Sequence, residues 1–383
     1  MYRSPILLST LLLLLATVTP SFAREMPYIV IVANSGTILA ENKADDRWYP
    51  ASLTKLMTAY VTFRAIRNGE LEEGSPVEIS RSATQQPSSR MGYKRGVKLR
   101  VDTALKIIII KSANDVSYAL AESVAGTLDA FVDRMNFEAA RLGLANTRFA
   151  NSNGLHDTGQ FTSARDMALL SSKILTEYPQ YAYMFSAVAI KTPVKTHYSY
   201  NLLLERFPGT NGMKTGFVCA SGYNFVASAR SGKRDLIAVV LGRESQADRA
   251  IAAAKLLTEV RNYEGIGSVY SARDVGADPK NMRPVLCTEK ARASRYDPGA
   301  GQAKINSNYL NPRVKSDKVL VVNTGNIDGK PGDAWLSEKM AVKGKIPIPS
   351  LRPEFDPLSG KILLAAIGQR ETGSIAIPTP RPR

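Results

Sequence analysis

The stretch GMKTGFVCASGYNFVASARSGKRDLIAVVLGR, residues 212–243, decides the fold of this chain. Its segments GMKTGF, YNFVASAR and DLIAVVLGR have the residue composition of β-strands. The last two are joined by the short polar turn SGKR at residues 231–234, which is typical of a β-hairpin. We therefore expect antiparallel strands here.

On the N-terminal side, YIVIVANSGTILAEN at residues 28–42 predicts two more strands around an Asn-Ser-Gly turn. Between these strand regions, and again after residue 243, apolar residues recur at helical spacing. The predicted helices are Leu53–Arg67, Leu105–Ile110, Val116–Val124, Leu128–Leu142, Arg165–Glu177 and Ala247–Val260. The sequence thus predicts an α/β protein of the α+β type, in which one antiparallel sheet is assembled from both ends of the segment around an all-helical insertion.

The C-terminal part differs from the rest of the chain. Beyond Gly265 the periodicity fades, and 12 of the 21 prolines lie there. A strand at Lys318–Val322 is the one element we expect in this region, and the final IPTPRPR is expected to be extended or disordered. The predicted division is a leader at 1–23, a catalytic domain at 24–262 and an extension at 263–383.

The N-terminus has the pattern of a secretory signal peptide. A short positive start precedes an apolar run through Leu11–Leu15, then Pro20, with small residues at Ser21 and Ala23. An uncleaved anchor is the alternative, but the apolar run is short for a span of about 20 residues. We expect cleavage after Ala23 and export to the periplasm or cell envelope.

The net charge and its distribution along the chain indicate which kinds of molecule the protein could bind. The formal net charge is +16, and the basic residues are spread along the chain without a polybasic block or interleaved aromatics. This pattern does not favour a nucleic-acid binder. Contact of the basic surface with anionic wall polymer or lipid head groups is one interpretation, and solubility alone is the other.

Cysteine and histidine are too few for a metal centre of the usual kind. The chain has two cysteines, Cys219 and Cys287, and two histidines, His156 and His197, without an HExxH pattern. We therefore expect chemistry without a metal or other cofactor. In an oxidising compartment the cysteines can pair as a disulfide; two separate thiols are the alternative.

Ser52-Leu-Thr-Lys55 is the first candidate for chemistry. Positions i and i+3 of a helix share a face, so Ser52 Oγ and Lys55 Nζ can come within hydrogen-bonding distance. A lysine with its ordinary pKa of about 10.4 is protonated at neutral pH and is a poor base. Burial and a second cation both lower this pKa and would make Lys55 a competent base. An N-cap serine beside an exposed lysine is the structural alternative.

Two further motifs carry polar side chains. Lys214-Thr215-Gly216 stands at the start of the strand-rich region, where an edge strand can pair with a peptide main chain and hold its carboxylate. Ser112-Ala-Asn114 lies between two predicted helices, in a loop that can project both side chains into a cleft. A second Ser-x-Asn begins at Ser199, which we expect in the strand leading to Lys214.

These three motifs, in this order, resemble those of the low-molecular-mass penicillin-binding proteins, which are serine D-alanyl-D-alanine carboxypeptidases. The resemblance runs from about Pro27 to Asn262 and includes NSNGLHDTGQFTSARDMALL, GMKTGFVCASGYNFVASA and LGRESQADRA. It implies a β-lactamase/DD-peptidase-like fold and hydrolysis of peptidoglycan stem peptides through an acyl-enzyme, with β-lactams as inhibitors. Endopeptidase cleavage of cross-links is a close variant.

The resemblance assigns roles residue by residue. Ser52 matches the nucleophile and Lys55 its base; Ser112 and Asn114 match the proton-relay loop. Lys214, Thr215 and Gly216 match the substrate-binding strand, the backbone N–H groups of Ser52 and Phe217 match the oxyanion donors, and Arg249 matches an arginine linked to the substrate carboxylate. A structural salt bridge is the alternative for Arg249.

Several positions depart from the family pattern. Ala113 replaces a common glycine, Phe217 stands where relatives carry histidine, and a Cys219–Cys287 bridge would tether the extension to the catalytic domain. GKILLAAIG in the extension is short for an interfacial anchor. A serine β-lactamase and a non-catalytic wall-binding protein remain the alternative classes; the first is disfavoured because a Glu-x-x-Leu-Asn element is missing, the second because the three motifs are intact.

Overall fold

The structure is a computed structural model that describes residues 26–271, 275–289, 291 and 307–322, and the backbone of 354–356 and 361–363. The predicted leader at 1–23 and the final IPTPRPR lie outside these residues.

The predicted strands and helices follow one another along the described chain in the order that the sequence predicts, with several short elements added. The strands are β1 (Tyr28–Val32), β2 (Thr37–Asn42), β3 (Pro76–Glu78), β4 (Lys98–Arg100), β5 (Ala189–Lys191), β6 (Thr196–Tyr198), β7 (Thr210–Val218), β8 (Gly222–Ser231), β9 (Arg234–Arg243), β10 (Gly267–Ser268), β11 (Val319–Val321), β12 (Glu354–Asp356) and β13 (Lys361–Leu363). The helices are α1 (Thr54–Arg67), α2 (Arg81–Thr84), α3 (Val101–Ile110), α4 (Asn114–Ala125), α5 (Leu128–Arg141), α6 (Ala164–Glu177), α7 (Ala182–Ser186), α8 (Gln246–Glu259) and α9 (Arg283–Leu286).

The central sheet has six strands in the order β10-β2-β1-β9-β8-β7. Its neighbouring strands pair antiparallel throughout. Strands from the start of the chain therefore meet strands from residues 210–243, with the helical segment between them, and the predicted architecture is confirmed. β7, which carries Lys214, lies at the edge of this sheet.

Side chains alternate across the sheet and divide the apolar core into two layers. In β9, Ile237 and Val239 face the core that the helical insertion shares, whereas Ala238 and Val240 face the opposite side. On that opposite side the small residues of α8, such as Ala253, pack against the sheet. A strand buried on both faces reads as a continuous apolar run, which explains the sequence DLIAVVLGR.

The helical insertion is organised around α1, whose residues are almost all buried. Two of its other helices, α5 and α6, begin at polar caps: Thr127 accepts from the Ala130 N–H and Ser163 from the Asp166 N–H. The predicted bounds agree with the structure within one or two residues, except that α3 begins four residues before the predicted Leu105. Arg100 is extended and precedes the helical residues there.

The elements that the sequence did not predict are short. They are the β3–β4 pair, α2, α7, the β5–β6 hairpin, β10, α9 and the β12–β13 pair, each of two to five residues per element. Such segments contain too few residues to show a periodicity. β11 pairs parallel with β5 to form a three-stranded sheet with β6, which confirms the strand predicted at Lys318–Val322.

The extension contacts the catalytic part at several places. β10 lies beyond residue 262 and pairs with β2 in the main sheet. Cys219 and Cys287 form a disulfide with a Cα–Cα distance of 5.7 Å, which ties α9 to the end of β7. The domain boundary at residue 262 stays a prediction. Among the described helices, none has the length and apolar character that a bilayer crossing requires.

Candidate active site

Ser52 lies in a tight turn immediately before α1. Residues Ala51–Leu53 form a 3₁₀ turn, and Ala51 has a φ of 49°. Asn224 of β8 donates from Nδ2 to the carbonyls of Tyr49 and Pro50, at 2.9 and 3.1 Å. The sheet therefore holds the turn that carries Ser52 by hydrogen bonds from the Asn224 side chain to main-chain carbonyls that precede the turn.

A glycine supports this turn from the other side. Gly154 has a φ of +84°, and a Cβ on it would lie 1.9 Å from the carbonyl oxygen of Ala51. Only a residue without a side chain can occupy this position without displacing the turn. The loop that contains Gly154 can consequently approach Ser52 and Lys55 closely.

Lys55 is fully buried and its Nζ is surrounded by oxygen atoms. Nζ lies 3.1 Å from Ser52 Oγ, 2.8 Å from Asn114 Oδ1 and 2.5 Å from the carbonyl oxygen of Asn153. The amide of Asn114 is oriented because its Nδ2 donates to the Pro87 carbonyl at 2.9 Å. The two carbonyl-type oxygens can only accept, whereas a serine hydroxyl can also donate.

This arrangement suits an uncharged amine. Burial first, and then the nearby Lys214, lower the pKa of Lys55 well below its ordinary value, while Asp115 acts in the opposite direction. A neutral amine has two N–H groups, which match the oxygens of Asn114 and Asn153, and one lone pair, which is left for the hydroxyl of Ser52. Lys55 can therefore receive the serine proton.

Ser112 and Lys214 form the second half of the site. Ser112 connects α3 to α4 with a φ of 62°, and Lys214 Nζ donates to its Oγ at 2.9 Å and to the Thr215 carbonyl at 3.0 Å. Burial, and next the charge of Arg249, lower the pKa of Lys214 to about 7. Lys214 can thus hold or release a proton beside Ser112 near neutral pH.

The edge strand β7 passes close to the serine turn because residue 216 is glycine. A Cβ on Gly216 would lie 3.0 Å from the Ser52 backbone nitrogen and 3.0 Å from the Pro50 carbonyl oxygen. This proximity brings the main chain of Gly216 and Phe217 beside the Ser52 amide. The ring of Phe217 packs against Tyr223, with 4.3 Å between ring centroids.

Arg249 approaches the same strand from α8. Its residue is 4% exposed, and its guanidinium donates to the carbonyls of Gly216, Asn224 and Tyr200 at 3.2–3.4 Å. Within the described residues, no carboxylate pairs with it, so the salt-bridge alternative has no support there. Its charge lies beside β7 and contributes to the low pKa of Lys214.

One other expectation concerns a residue near the site. Ser199 is not in the strand that carries Lys214, and that prediction was wrong: Ser199 directly follows β6, which belongs to the three-stranded sheet. The Asn201 side chain caps a 3₁₀ turn between the two strands, which separates them. His156 packs its ring edge-on against Tyr49 at 4.7 Å, a structural contact.

Sequence reasoning missed Asn153, Gly154 and Asn224, which hold the site together. Asn153 and Gly154 lie in the quoted segment NSNGLHDTGQ and Asn224 in YNFVASA, but each acts mainly through backbone contacts or close approach. Their residue types carry no catalytic group, so a sequence motif does not identify them. In the described residues no cluster of three or more potential metal-ligating side chains is found.

Comparisons with known proteins agree with this geometry. The sequence profile of the D-alanyl-D-alanine carboxypeptidase family matches residues 17–245. D-alanyl-D-alanine carboxypeptidase DacA of Escherichia coli strain K12 is 36% identical over 321 residues, 79% of each chain. Penicillin-binding protein 5 of Haemophilus influenzae has a TM-score of 0.59 at 35% identity, over 63% of this chain and 72% of that one.

A third relative was solved with a β-lactam. Penicillin-binding protein D2 of Listeria monocytogenes, in its cefotaxime-bound form, has a TM-score of 0.56 at 30% identity and covers 62% of this chain and 96% of its own. The antiparallel sheet with its helical insertion is thus the fold of the penicillin-binding DD-peptidases. The chain belongs to the D-alanyl-D-alanine carboxypeptidase family, whose members are serine peptidases and hence hydrolases.

Proposed function

We propose that this protein is an exported serine DD-carboxypeptidase that removes the terminal D-alanine from peptidoglycan stem peptides through an acyl-enzyme on Ser52. The observation that carries the proposal is the contact of Lys55 Nζ with Ser52 Oγ at 3.1 Å, in a buried setting that lowers the pKa of the amine. A serine alone is a weak nucleophile and needs such a base.

Acylation begins when Ser52 Oγ attacks the carbonyl carbon of the penultimate D-alanine and transfers its proton to Lys55 Nζ. The carbonyl oxygen becomes an oxyanion, which the backbone N–H groups of Ser52 and Phe217 stabilise. The C–N bond then breaks, and the leaving amine of D-alanine takes a proton. Ser112, whose hydroxyl is bonded to Lys214, is suited to deliver that proton and to take in return the one that Lys55 received from Ser52, which leaves Lys55 uncharged.

Deacylation reverses the sequence with water as nucleophile. Lys55, uncharged again, takes a proton from water; the hydroxide adds to the ester, and Ser52 leaves with its proton restored. The cationic pair Lys214 and Arg249, together with the hydroxyl of Thr215, holds the terminal carboxylate of the substrate. β-Lactams place a carboxylate and a strained amide in the same positions and acylate Ser52.

Export follows from the predicted leader at 1–23 and would place the enzyme in the periplasm or cell envelope with its substrate. The disulfide between Cys219 and Cys287 supports this location because such bonds persist in oxidising compartments. Peripheral contact with wall polymer or membrane through the basic surface belongs to the same proposal.

Release of D-alanine from a synthetic pentapeptide, together with labelling by a fluorescent penicillin, tests the function. We expect D-alanine release and a long-lived label in the native protein, and neither in Ser52→Ala. Rapid turnover of penicillin would instead indicate a β-lactamase, and a folded protein without label or release would indicate a non-catalytic binder. Undiminished release in Ser52→Ala would refute the assignment.

The two Ser-x-Asn motifs offer a matched pair of variants. Ser112→Ala removes a hydroxyl bonded to Lys214, whereas Ser199→Ala removes one whose contact is the Asn201 backbone N–H. We expect release of D-alanine to fall about 100-fold or more in the first, the range of a lost proton-transfer group, and to persist in the second. Equal effects would remove Ser112 from the mechanism.

A further inference from the structure

One part of the extension, residues 307–322, runs along the catalytic part of the chain, and we call it the strap. It is held by main-chain hydrogen bonds: the Asn311 N–H donates to the Arg206 carbonyl and the Val314 N–H to the Glu205 carbonyl, both at 2.9 Å. Its end forms β11 beside β5. The strap is thus held against residues 205–206 and β5 by main-chain hydrogen bonds, and it forms part of the surface there.

A cavity of about 710 Å³ lies between the strap and the catalytic part. Its walls come from residues 204–211 at the entrance to β7, from the β8–β9 turn and from strap residues 311–318. It shares no lining residue with Ser52, Lys55, Ser112, Asn114 or residues 214–217. The cavity is therefore separate from the candidate active site, at the other end of the same strand.

The charges that line this cavity are unbalanced. Both acids there have an arginine partner: Arg230 donates to Asp235 and Arg313 to Glu205, each at 2.7 Å. Arg206 lines the cavity too and is only 8% exposed. Within the described residues its side chain has no hydrogen bond and no ion pair, although buried arginines are normally paired.

The strap adds further positive charge at the same place. Lys315 and Lys318 line the cavity, and neither pairs with an acid in the described part of the chain. Docking of the strap therefore brings two lysines towards an uncompensated arginine, and these like charges repel. An anion in the cavity would remove the repulsion and satisfy the guanidinium of Arg206.

The shape and the other lining groups indicate the kind of anion. The volume exceeds what a single small ion fills, and the side-chain amides of Asn211 and Asn311 also line the cavity. Asn211 accepts from Ser228 Oγ through its Oδ1, so its NH₂ group remains to donate. Amide donors beside a guanidinium fork match a peptide that carries carboxylates.

We propose that this cavity is an accessory site for an anionic peptide, the carboxylate-bearing part of a peptidoglycan stem, with Arg206, Lys315 and Lys318 as its cationic contacts. The assignment of the peptide rests on the proposed function. Binding there would hold the wall near the enzyme while Ser52 acts on a different stem, and it would fasten the strap.

Isothermal titration calorimetry on the full-length Ser52→Ala protein tests the site without turnover. The probe is the tripeptide acetyl-L-alanyl-γ-D-glutamyl-L-lysine, which has two carboxylates and no D-alanine. We expect Arg206→Met to weaken its binding roughly tenfold or more, as a lost charged hydrogen bond does. Lys315→Met and Lys318→Met, on the exposed strap, should each weaken it severalfold. Arg148→Met, an exposed arginine away from the cavity, is the matched control.

Several outcomes separate this proposal from the enzymatic one. Tripeptide binding unchanged in Arg206→Met and in both strap variants would overturn the accessory site, whatever the fate of D-alanine release. Binding of pyrophosphate without binding of the tripeptide would overturn the peptide assignment. Binding that depends on Arg206 and the strap lysines, while the native protein releases no D-alanine, would support the accessory site and refute the proposed function.

Discussion

Burial of Lys214 without an acid partner has a measurable cost in stability. Its pKa falls from 10.5 to about 7 on folding, a difference worth roughly 5 kcal/mol at about 1.36 kcal/mol per pH unit. The folded state releases the proton at lower pH than the unfolded state does. The free energy of unfolding should therefore rise with pH between these two pKa values and be constant below the lower one.

The substitution Lys214→Met removes this titration and keeps an unbranched side chain. Between about pH 7 and pH 9 the native protein should gain roughly 2 kcal/mol from Lys214, since the slope starts at half of about 1.36 kcal/mol per unit and approaches the full value. The difference in unfolding free energy between the native and variant proteins should shift by that amount in favour of the native protein.

Urea denaturation at both pH values measures this difference. Lys255→Met is the control, because its side chain is 52% exposed on α8 and its removal should leave the pH dependence unaltered. A native-minus-Lys214→Met difference that is the same at both pH values would refute the argument that this lysine loses its proton through burial.

Three other predictions address the serine turn, the base and the disulfide. Gly154→Ala should destabilise the protein by about 2–4 kcal/mol, because its new Cβ would meet the carbonyl of Ala51. Gly143→Ala is the control: it has a similar φ of +72° but open space around it, and should cost about 1 kcal/mol. Equal melting temperatures of the two variants would contradict this. Lys55→Met should slow penicillin acylation about 100-fold or more, and the native rate should fall as the pH falls through the lowered pKa of Lys55; a stopped-flow profile without such a fall would exclude Lys55 as the base. Replacing both Cys219 and Cys287 by serine opens a link across 68 positions and should cost up to about 4 kcal/mol, measured by urea denaturation; an unchanged midpoint would mean that α9 stays docked without the bridge.

The sheet and the long helices could be predicted because their information is local. The continuous apolar run of β9 and the helical spacing from Leu53 to Arg67 both follow from which faces are buried. The β5–β6 hairpin could not, because three-residue strands show no period. Its pairing with β11 depends on residues more than 120 positions apart.

The residues of the candidate site also fall into two groups, those that could be predicted from the sequence and those that could not. Ser52, Lys55 and Lys214 carry chemistry in their residue types, so short motifs identify them. Asn153 and Asn224 contribute a carbonyl oxygen and a main-chain anchor, and an asparagine does this at many positions in any protein. The sequence does not show that these two asparagines lie beside Ser52 and Lys55, because that proximity arises only when distant segments pack together.

The pKa values of the cationic side chains in the site depend on how these residues are packed together. Lys55, Lys214 and Arg249 are all buried, and each lowers the proton affinity of its neighbour, with Arg249 acting on Lys214 and Lys214 on Lys55. Asp115 acts on Lys55 in the opposite direction, and its carboxylate already accepts hydrogen bonds from the backbone N–H groups of Met91 and Gly92. Arg249 keeps a pKa of about 10 and Lys214 one of about 7, so the positive charge is held most firmly on Arg249. Burial contributes most to the lowered pKa of Lys55 and the charge of Lys214 adds to it, and both effects suit this lysine to the role of base that we propose.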